Sequence, residues 1–451
     1  MVLSHRGLLF YNPFMKRFAK INKYWLIPVV FMLGIGMYHV PPVHRRLAWR
    51  LDNLRAEIKY FLDPPGEDVF EPGGATSLTV ETAIATTRAE YMLTLTPLLT
   101  PGPILKPTIT STPLPDMVML DGVIYEEQHG RPNYCGPANF SMALRFWGWD
   151  GNRYVIGDAI QPSEKDRNVM PYELQDFIRE NVPGVSSVAR MGGDIELLKK
   201  FVAAGFPVVV EKGIYEIDLN GKYGWMGHYA FVTGYDEANQ MIIYQDSYQP
   251  EGAPPGPDRK MGYQEFLEGW RSFNFIFVVV YPVDRENDVL NLLGDLRDEG
   301  AANRHALEVA EMESRILTGI DKYFAWFNIG TSQMALQEYM DASAAYDQAF
   351  AVYAALPNDS TTRPYRMLWY QTGPYFSYYY SNRFSDVIDL ASLTLDERLE
   401  PDLEESLLWR GRAYYMAGET EQAVADYRAA LKIHPNWPPA VQALADLGLQ
   451  P

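Results

Sequence analysis

Cysteine is nearly missing from this chain: it occurs once in 451 residues, at position 135. A single thiol forms no disulfide within its own chain. Cys135 is therefore a small buried hydrophobe, half of an intermolecular bridge, or a reactive group. Histidine is scarce too, with 7 in all. There is no H-E-x-x-H, no Cys/His zinc spacing and no Walker-type phosphate loop, so neither a metal site nor a cofactor is expected. Basic residues are outnumbered, 39 Lys and Arg against 57 Asp and Glu, for a net charge of −18. Nucleic acid is excluded as a partner on that balance, because phosphate contacts need clustered cations. The balance suits an acidic body standing off an anionic membrane.

Long apolar runs are also rare, with one exception near the start. From Tyr24 to Val43 no residue is charged, and the core of this stretch reads WLIPVVFMLGIGMY. At ~1.5 Å per residue it just crosses a ~30 Å hydrocarbon layer, and Trp25 and Tyr38 sit where amphipathic rings anchor. Residues 1–23 carry Arg6, Lys16, Arg17, Lys20 and Lys23 and no acid. The expectation is a cell-membrane signal anchor over 24–43, with the N-terminus cytoplasmic and the body extracytoplasmic. No small-x-small site follows that would mark a cleaved leader. In 44–62, Leu47, Leu51, Leu54, Ile58 and Phe61 recur three or four apart, which predicts an amphipathic helix. Residues 63–116 are rich in Thr and Pro, as in LTPLLTPGPILKPTITSTPLP, and read as an extended stalk.

The cysteine lies in PNYCGPANFSMAL. Met117–Tyr125 is strand-like and GRPN is a turn. Phe140, Ala143, Leu144 and Trp147 recur at helical spacing, with Pro137 suited to a first turn. Cys135 thus falls at a helix N-terminus, where the partial positive charge favours thiolate and free N–H groups can hold an oxyanion. Of the histidines, His5, His39 and His44 flank or lie in the anchor, and His305 and His434 belong to the C-terminal helices. His228 and His129 remain as candidate bases. His228 opens HYAFVTGY, which pairs across the turn DEANQ with MIIYQDSY in a predicted hairpin. Asp246, near the end of the second strand, is placed to orient the imidazole.

Q-x6-C-G-P-A-N followed by G-H-Y-A-F-V-T-G-Y-D-x9-D-S resembles the papain-like cysteine peptidases related to bacterial bacteriocin-leader processing, which cut after a double glycine. The resemblance implies an α+β papain-like domain, within 117–283. It implies Cys135 as nucleophile, His228 as base, Asp246 as orienter and Gln128 as an oxyanion-hole amide. Gln128 stands seven residues before the cysteine, where six is commoner.

After Tyr281 the texture becomes helical. WRGRAYYMAGETEQAVADYRAALKIHPN carries Gly411, Ala413, Tyr414, Gly418, Ala423, Tyr427, Ala430 and Pro435 at the positions of a tetratricopeptide repeat. Earlier copies carry Trp326, Gly330, Tyr339, Ala342, Tyr346 and Ala349, and then Trp369, Gly373, Phe384 and Val387. Residues 284–451 are thus expected to form an all-α solenoid, opened by one helix over 288–316, that binds a protein partner or substrate. The tyrosines of YFSYYYSNRF are expected to pack between helices. The functional expectation is a membrane-anchored cysteine peptidase acting on a peptide or protein. A non-catalytic papain-like binding domain and a thiol acyltransferase use the same residues. If 24–43 is an anchor, the full-length chain pellets with membranes and resists an alkaline carbonate wash, whereas a chain lacking 1–43 is released. A full-length chain in the wash supernatant removes the anchor.

Overall fold

The computed structural model describes residues 28, 32, 54–55, 58–62, 68–73, 113–129, 133–161, 169–217, 223–248, 255–359, 362–398 and 401–451. The chain divides into two units, Met1–Leu62 and Asp63–Pro451. In the first, the described residues are helical, and Met32, Leu54, Ile58 and Phe61 are exposed. The rest of the expected 24–43 anchor and 44–62 helix lies outside the described residues. Among those described, no helix is long and apolar enough to cross a membrane.

In the second unit the chain runs β1 (Met117–Met119), α1 (Cys135–Phe146), α2 (Arg153–Ile160), α3 (Pro171–Asn181), β2 (Val185–Arg190) and α4 (Ile195–Ala203). It continues through β3 (Val208–Ile217), β4 (Tyr223–Asp236), β5 (Met241–Gln245), β6 (Arg259–Gly262), α5 (Tyr263–Arg271) and β7 (Phe277–Pro282). The strands form an antiparallel sheet in the order β2-β7-β3-β4-β5-β6, and β1 pairs with the far end of β4. Alternation along β3 explains why the strand is apolar on both sides. Val208 and Val210 pack with α4 and α5 beneath one face, while Val209 packs with α1, α2 and α3 on the other. The predicted hairpin is β4–β5, with Phe231 opposite Gln245.

Three expectations are corrected. The strand over Met117–Tyr125 ends at Met119, because Gly122 turns the chain away with φ 84°. The helical spacing read through Trp147 ends one residue earlier, at Phe146 with Trp147 as C-cap, and α1 is buried from Gly136 to Leu144, where α2 and α3 cover it. Instead of one helix over 288–316 there are two, α6 (Glu286–Leu293) and α7 (Glu299–Ile316). Gly294 breaks the run at φ 57°, and the Asp298 carboxylate then caps α7 by accepting from the Ala301 N–H at 2.7 Å. The Thr/Pro-rich segment is docked at both described ends. Phe70 is buried edge-on against Phe350, the Gly73 N–H donates to Asp386, and the Tyr235 hydroxyl donates to the Pro115 carbonyl.

The helical region proceeds through α8 (Gly319–Ala335), α9 (Tyr339–Ala355), the short α10 (Met367–Tyr370), α11 (Gly373–Tyr380), α12 (Phe384–Asp396), α13 (Glu404–Met416), α14 (Thr420–Ile433) and α15 (Pro438–Asp446). Glycine is required where paired helices touch. A Cβ on Gly330 would lie 2.8 Å from the Tyr346 ring, and one on Gly411 2.6 Å from that of Tyr427. Tyr375 and Tyr378 of the tyrosine cluster are fully buried, and the Tyr378 hydroxyl donates to Asp347 at 2.9 Å.

This region packs on the sheet domain. Trp225 and Phe273 share one apolar cluster with Phe324, Phe350 and Tyr378. Arg271 donates to Glu313 and Asp321, each at 2.9 Å, and Asn328 donates to the Arg271 carbonyl at 2.7 Å. Replacing Gly411 with leucine forces the Tyr427 ring aside and destabilises the helical region by ~1–3 kcal/mol. A lower denaturation midpoint of the full chain reads that cost. An unchanged midpoint would mean that α13 and α14 do not meet there.

Candidate active site

The local geometry around Cys135 follows from its neighbours. Asn133 takes the left-handed region at φ 56°, which asparagine tolerates, and swings the chain into α1. Tyr134 is the N-cap and supplies no side-chain cap, so the first-turn N–H groups are left for other acceptors. Gly136 lets the helix end approach the sheet, since a Cβ there would meet Val169 at 2.9 Å and the Tyr229 ring at 3.4 Å. One turn on, the buried Asn139 amide donates to the Cys135 carbonyl at 2.8 Å, the Tyr229 carbonyl at 2.9 Å and Ser247 Oγ at 3.1 Å. It ties the helix to β4 and to the segment after β5.

The sheet supplies the second half. β5 ends at Gln245, opposite Phe231, so β4 has an open edge before that point. At this edge the half-buried Cys135 thiol hydrogen-bonds the buried His228 imidazole and accepts from the Tyr229 and Gly136 N–H groups. His228 Nε2 lies 2.8 Å from Asp246 Oδ1, which leaves Nδ1 for the sulfur. Asp246, also buried, accepts the Tyr248 N–H at 3.0 Å and an ion pair from Arg259 at the start of β6.

These contacts set the charges. Burial alone would raise the Cys135 pKa, but the imidazole and the two backbone donors outweigh it and hold the thiol below its ordinary value. Burial alone would lower His228, yet the Asp246 carboxylate, with a smaller contribution from the sulfur, lifts it from 6.5 to about 9. Burial disfavours ionised Asp246, but His228 and then Arg259 bring it to about 2. The arrangement therefore favours thiolate beside imidazolium, with a carboxylate behind. Burial pushes the acid of Glu211, beside the thiol on β3, well above its ordinary value. As a neutral group it does not oppose the thiolate.

Gln128 reaches the site along the loop after β1. Its N–H donates to the Ser247 carbonyl at 2.9 Å, and its Oε1 accepts from Ser247 Oγ at 2.9 Å. His129, the other candidate base, is exposed and stacks on Tyr248 at 6.5 Å, while His228 carries the thiol hydrogen bond. The structure thus brings Cys135, His228 and Asp246 into one chain of contacts, with Ser247 and Asn139 linking Gln128 to it. Sequence reasoning missed Arg259, which reaches Asp246 only through the pairing of β6 beside β5. It also missed Glu211, which carries no sequence signal. Among the described residues, no group of three or more His, Cys, Asp or Glu side chains could hold a metal.

Protonation should therefore govern reactivity. Alkylation of Cys135 by iodoacetamide stays fast below pH 8, where an ordinary thiol is mostly protonated. Asp246→Asn removes the charge that raises His228 and moves the acid limb toward the ordinary thiol value of ~8.5. Identical profiles for the two chains would show that Asp246 does not act on the pair.

Residues 120–276 match the model of the Peptidase_C39 like family, and residues 404–437 match a tetratricopeptide repeat. The first match stops just before β7, which lies inside the sheet between β2 and β3, so the folded domain extends to Pro282. A crystal structure described as a candidate C39-like peptidase from Bacillus anthracis is similar at 18% identity and a TM-score of 0.29, covering 37% of this chain and 97% of that one. No curated protein matches the chain. Residues 120–276 are accordingly a domain of the Peptidase_C39 like family, followed by a tetratricopeptide repeat at 404–437.

Proposed function

We propose that this protein is a membrane-anchored cysteine peptidase that hydrolyses peptide bonds through Cys135, His228 and Asp246. The observation that carries the reading is the buried contact chain from thiol to imidazole to carboxylate. A binding domain needs no imidazolium held at about 9 beside its thiol.

The thiolate attacks the peptide carbonyl carbon, and the carbonyl oxygen takes the negative charge. Gln128 Nε2 and the first-turn N–H groups of α1 stabilise that oxyanion. As the C–N bond breaks, His228 gives its proton to the leaving amine, and a thioester remains on Cys135. Neutral His228 then takes a proton from water, the resulting hydroxide attacks the thioester, and the thiolate leaves. Asp246 holds the ring with Nε2 engaged throughout, which keeps Nδ1 on the sulfur and stabilises the imidazolium. Arg259 keeps Asp246 ionised in its buried position. The apolar stretch 24–43 anchors the protein with the body extracytoplasmic, and the helical repeats hold a protein substrate or partner.

Cys135→Ala abolishes hydrolysis of a sensitive peptide, a loss of ~10⁴-fold or more in kcat. The kcat/KM of the wild-type chain falls as pH rises through about 9, where His228 loses the proton needed by the leaving amine. Full activity in Cys135→Ala would overturn the proposal.

A further inference from the structure

The segment between α9 and α11 packs on the sheet domain. α10 lies against β4, where the Arg366 guanidinium donates to the Trp225 carbonyl at 3.0 Å and the Gln371 amide donates to the Ser272 carbonyl at 2.7 Å. Between these two anchors, the half-buried Tyr370 ring packs edge-on against Trp225 at 5.9 Å and Phe273 at 6.0 Å. A Cβ on Gly227 would meet that ring at 3.0 and 3.1 Å.

Gly227 immediately precedes His228, and its direction is set by the strand. Backbone groups two residues apart on a strand point to the same side. The Tyr229 N–H and carbonyl face Cys135 and Asn139, away from β3. The Gly227 N–H therefore faces the same open edge of β4, and it donates to the Tyr370 hydroxyl. Tyr370 also feels the charge of the Cys135 sulfur. An extended peptide presenting its carbonyl to Cys135 runs along this edge, where unpaired strand groups serve as its template. At Gly227 that position is already filled by a phenol.

The geometry points to Tyr370 as a specificity-determining residue: the helical region supplies a fixed wall of the peptide cleft beside Cys135, which sets how much side-chain bulk the peptide carries over Gly227. This rests on Cys135 being the nucleophile of a peptide-binding cleft. Tyr370 lies far outside the 120–276 segment that carries the peptidase-like domain. The repeats therefore complete the site as well as extend from it.

The test uses the full chain and two peptidyl chloromethyl ketones, one ending in glycine and one in leucine. The thiolate displaces chloride to form a thioether, so the reaction reports access to Cys135 without requiring hydrolysis. Iodoacetamide is the size-neutral reference. The wild-type chain reacts faster with the glycine reagent than with the leucine reagent. Tyr370→Ala lowers that ratio by about tenfold, mostly through a faster leucine reaction, with each rate divided by the same chain's iodoacetamide rate. Tyr370→Phe keeps the ring and retains the wild-type ratio. Tyr370→Leu, shorter but apolar against Trp225 and Phe273, shifts the ratio in the same direction as alanine should the alanine chain fail to fold. A ratio unchanged in both Tyr370→Ala and Tyr370→Leu overturns the wall. Selective labelling by a chain that cleaves no peptide refutes the hydrolytic function and leaves the wall standing. Cleavage with no change in the ratio does the reverse.

Discussion

The edge of β4 left open where β5 ends is the constraint from which the site follows. Had β5 continued its ladder, the Tyr229 backbone would have been paired within the sheet and α1 could not have set its first residue there. Because the ladder stops at Gln245, the sulfur reaches the strand from the α1 side. His228 reaches the same edge from the face shared with Lys212. Two groups from opposite faces of one sheet meet only where a strand edge is unoccupied. The chain beyond Gln245 then carries Asp246 behind the imidazole.

Keeping that carboxylate charged and buried is the costly part of the design, since an unpaired buried ion is destabilised by several kcal/mol. His228, Arg259 and the Tyr248 N–H share the compensation. Burial also gives the ion pair its strength, because the effective dielectric around two buried side chains is low. Burial brings the nearby Lys212 down to about 8, partly offset by Asp246. Desolvation acts on Cys135, His228, Asp246, Glu211 and Lys212 alike, and each pKa direction depends on whether a partner outweighs it.

The helical region is joined to the sheet domain by a mixed interface. Trp225 and Phe273 bury apolar surface against it, while Arg271, Asn274 and Asn328 make directed polar contacts around them. Buried hydrogen bonds of this kind fix register, because sliding would leave each group unpaired. A fixed register places α10, and with it Tyr370, reproducibly beside Gly227. The segment Asp68–Gly73 also packs on these helices, through the Phe70 ring and the Gly73 N–H.

Periodicity and local chemistry made much of the molecule legible. Pro137 and the helical spacing of Phe140, Ala143 and Leu144 announced a helix start at Cys135, and the DEANQ turn announced the β4–β5 hairpin that carries His228 and Asp246. The small-residue and tyrosine pattern of Gly411 and Tyr427 announced a helix pair. These are short-range signals, because capping, turn chemistry and helix contact are decided within one or two elements. Arg259, Glu211 and Tyr370 had no such signal. Each acquires its role only when the sheet order and the docking of α10 bring distant backbone segments within a few ångströms. What the chain alone determined was which residue types could form a reactive thiol and where its elements begin. Tertiary structure decided which charges pair and which groups wall the cleft, since burial and Coulombic coupling depend on separation in space and not along the chain.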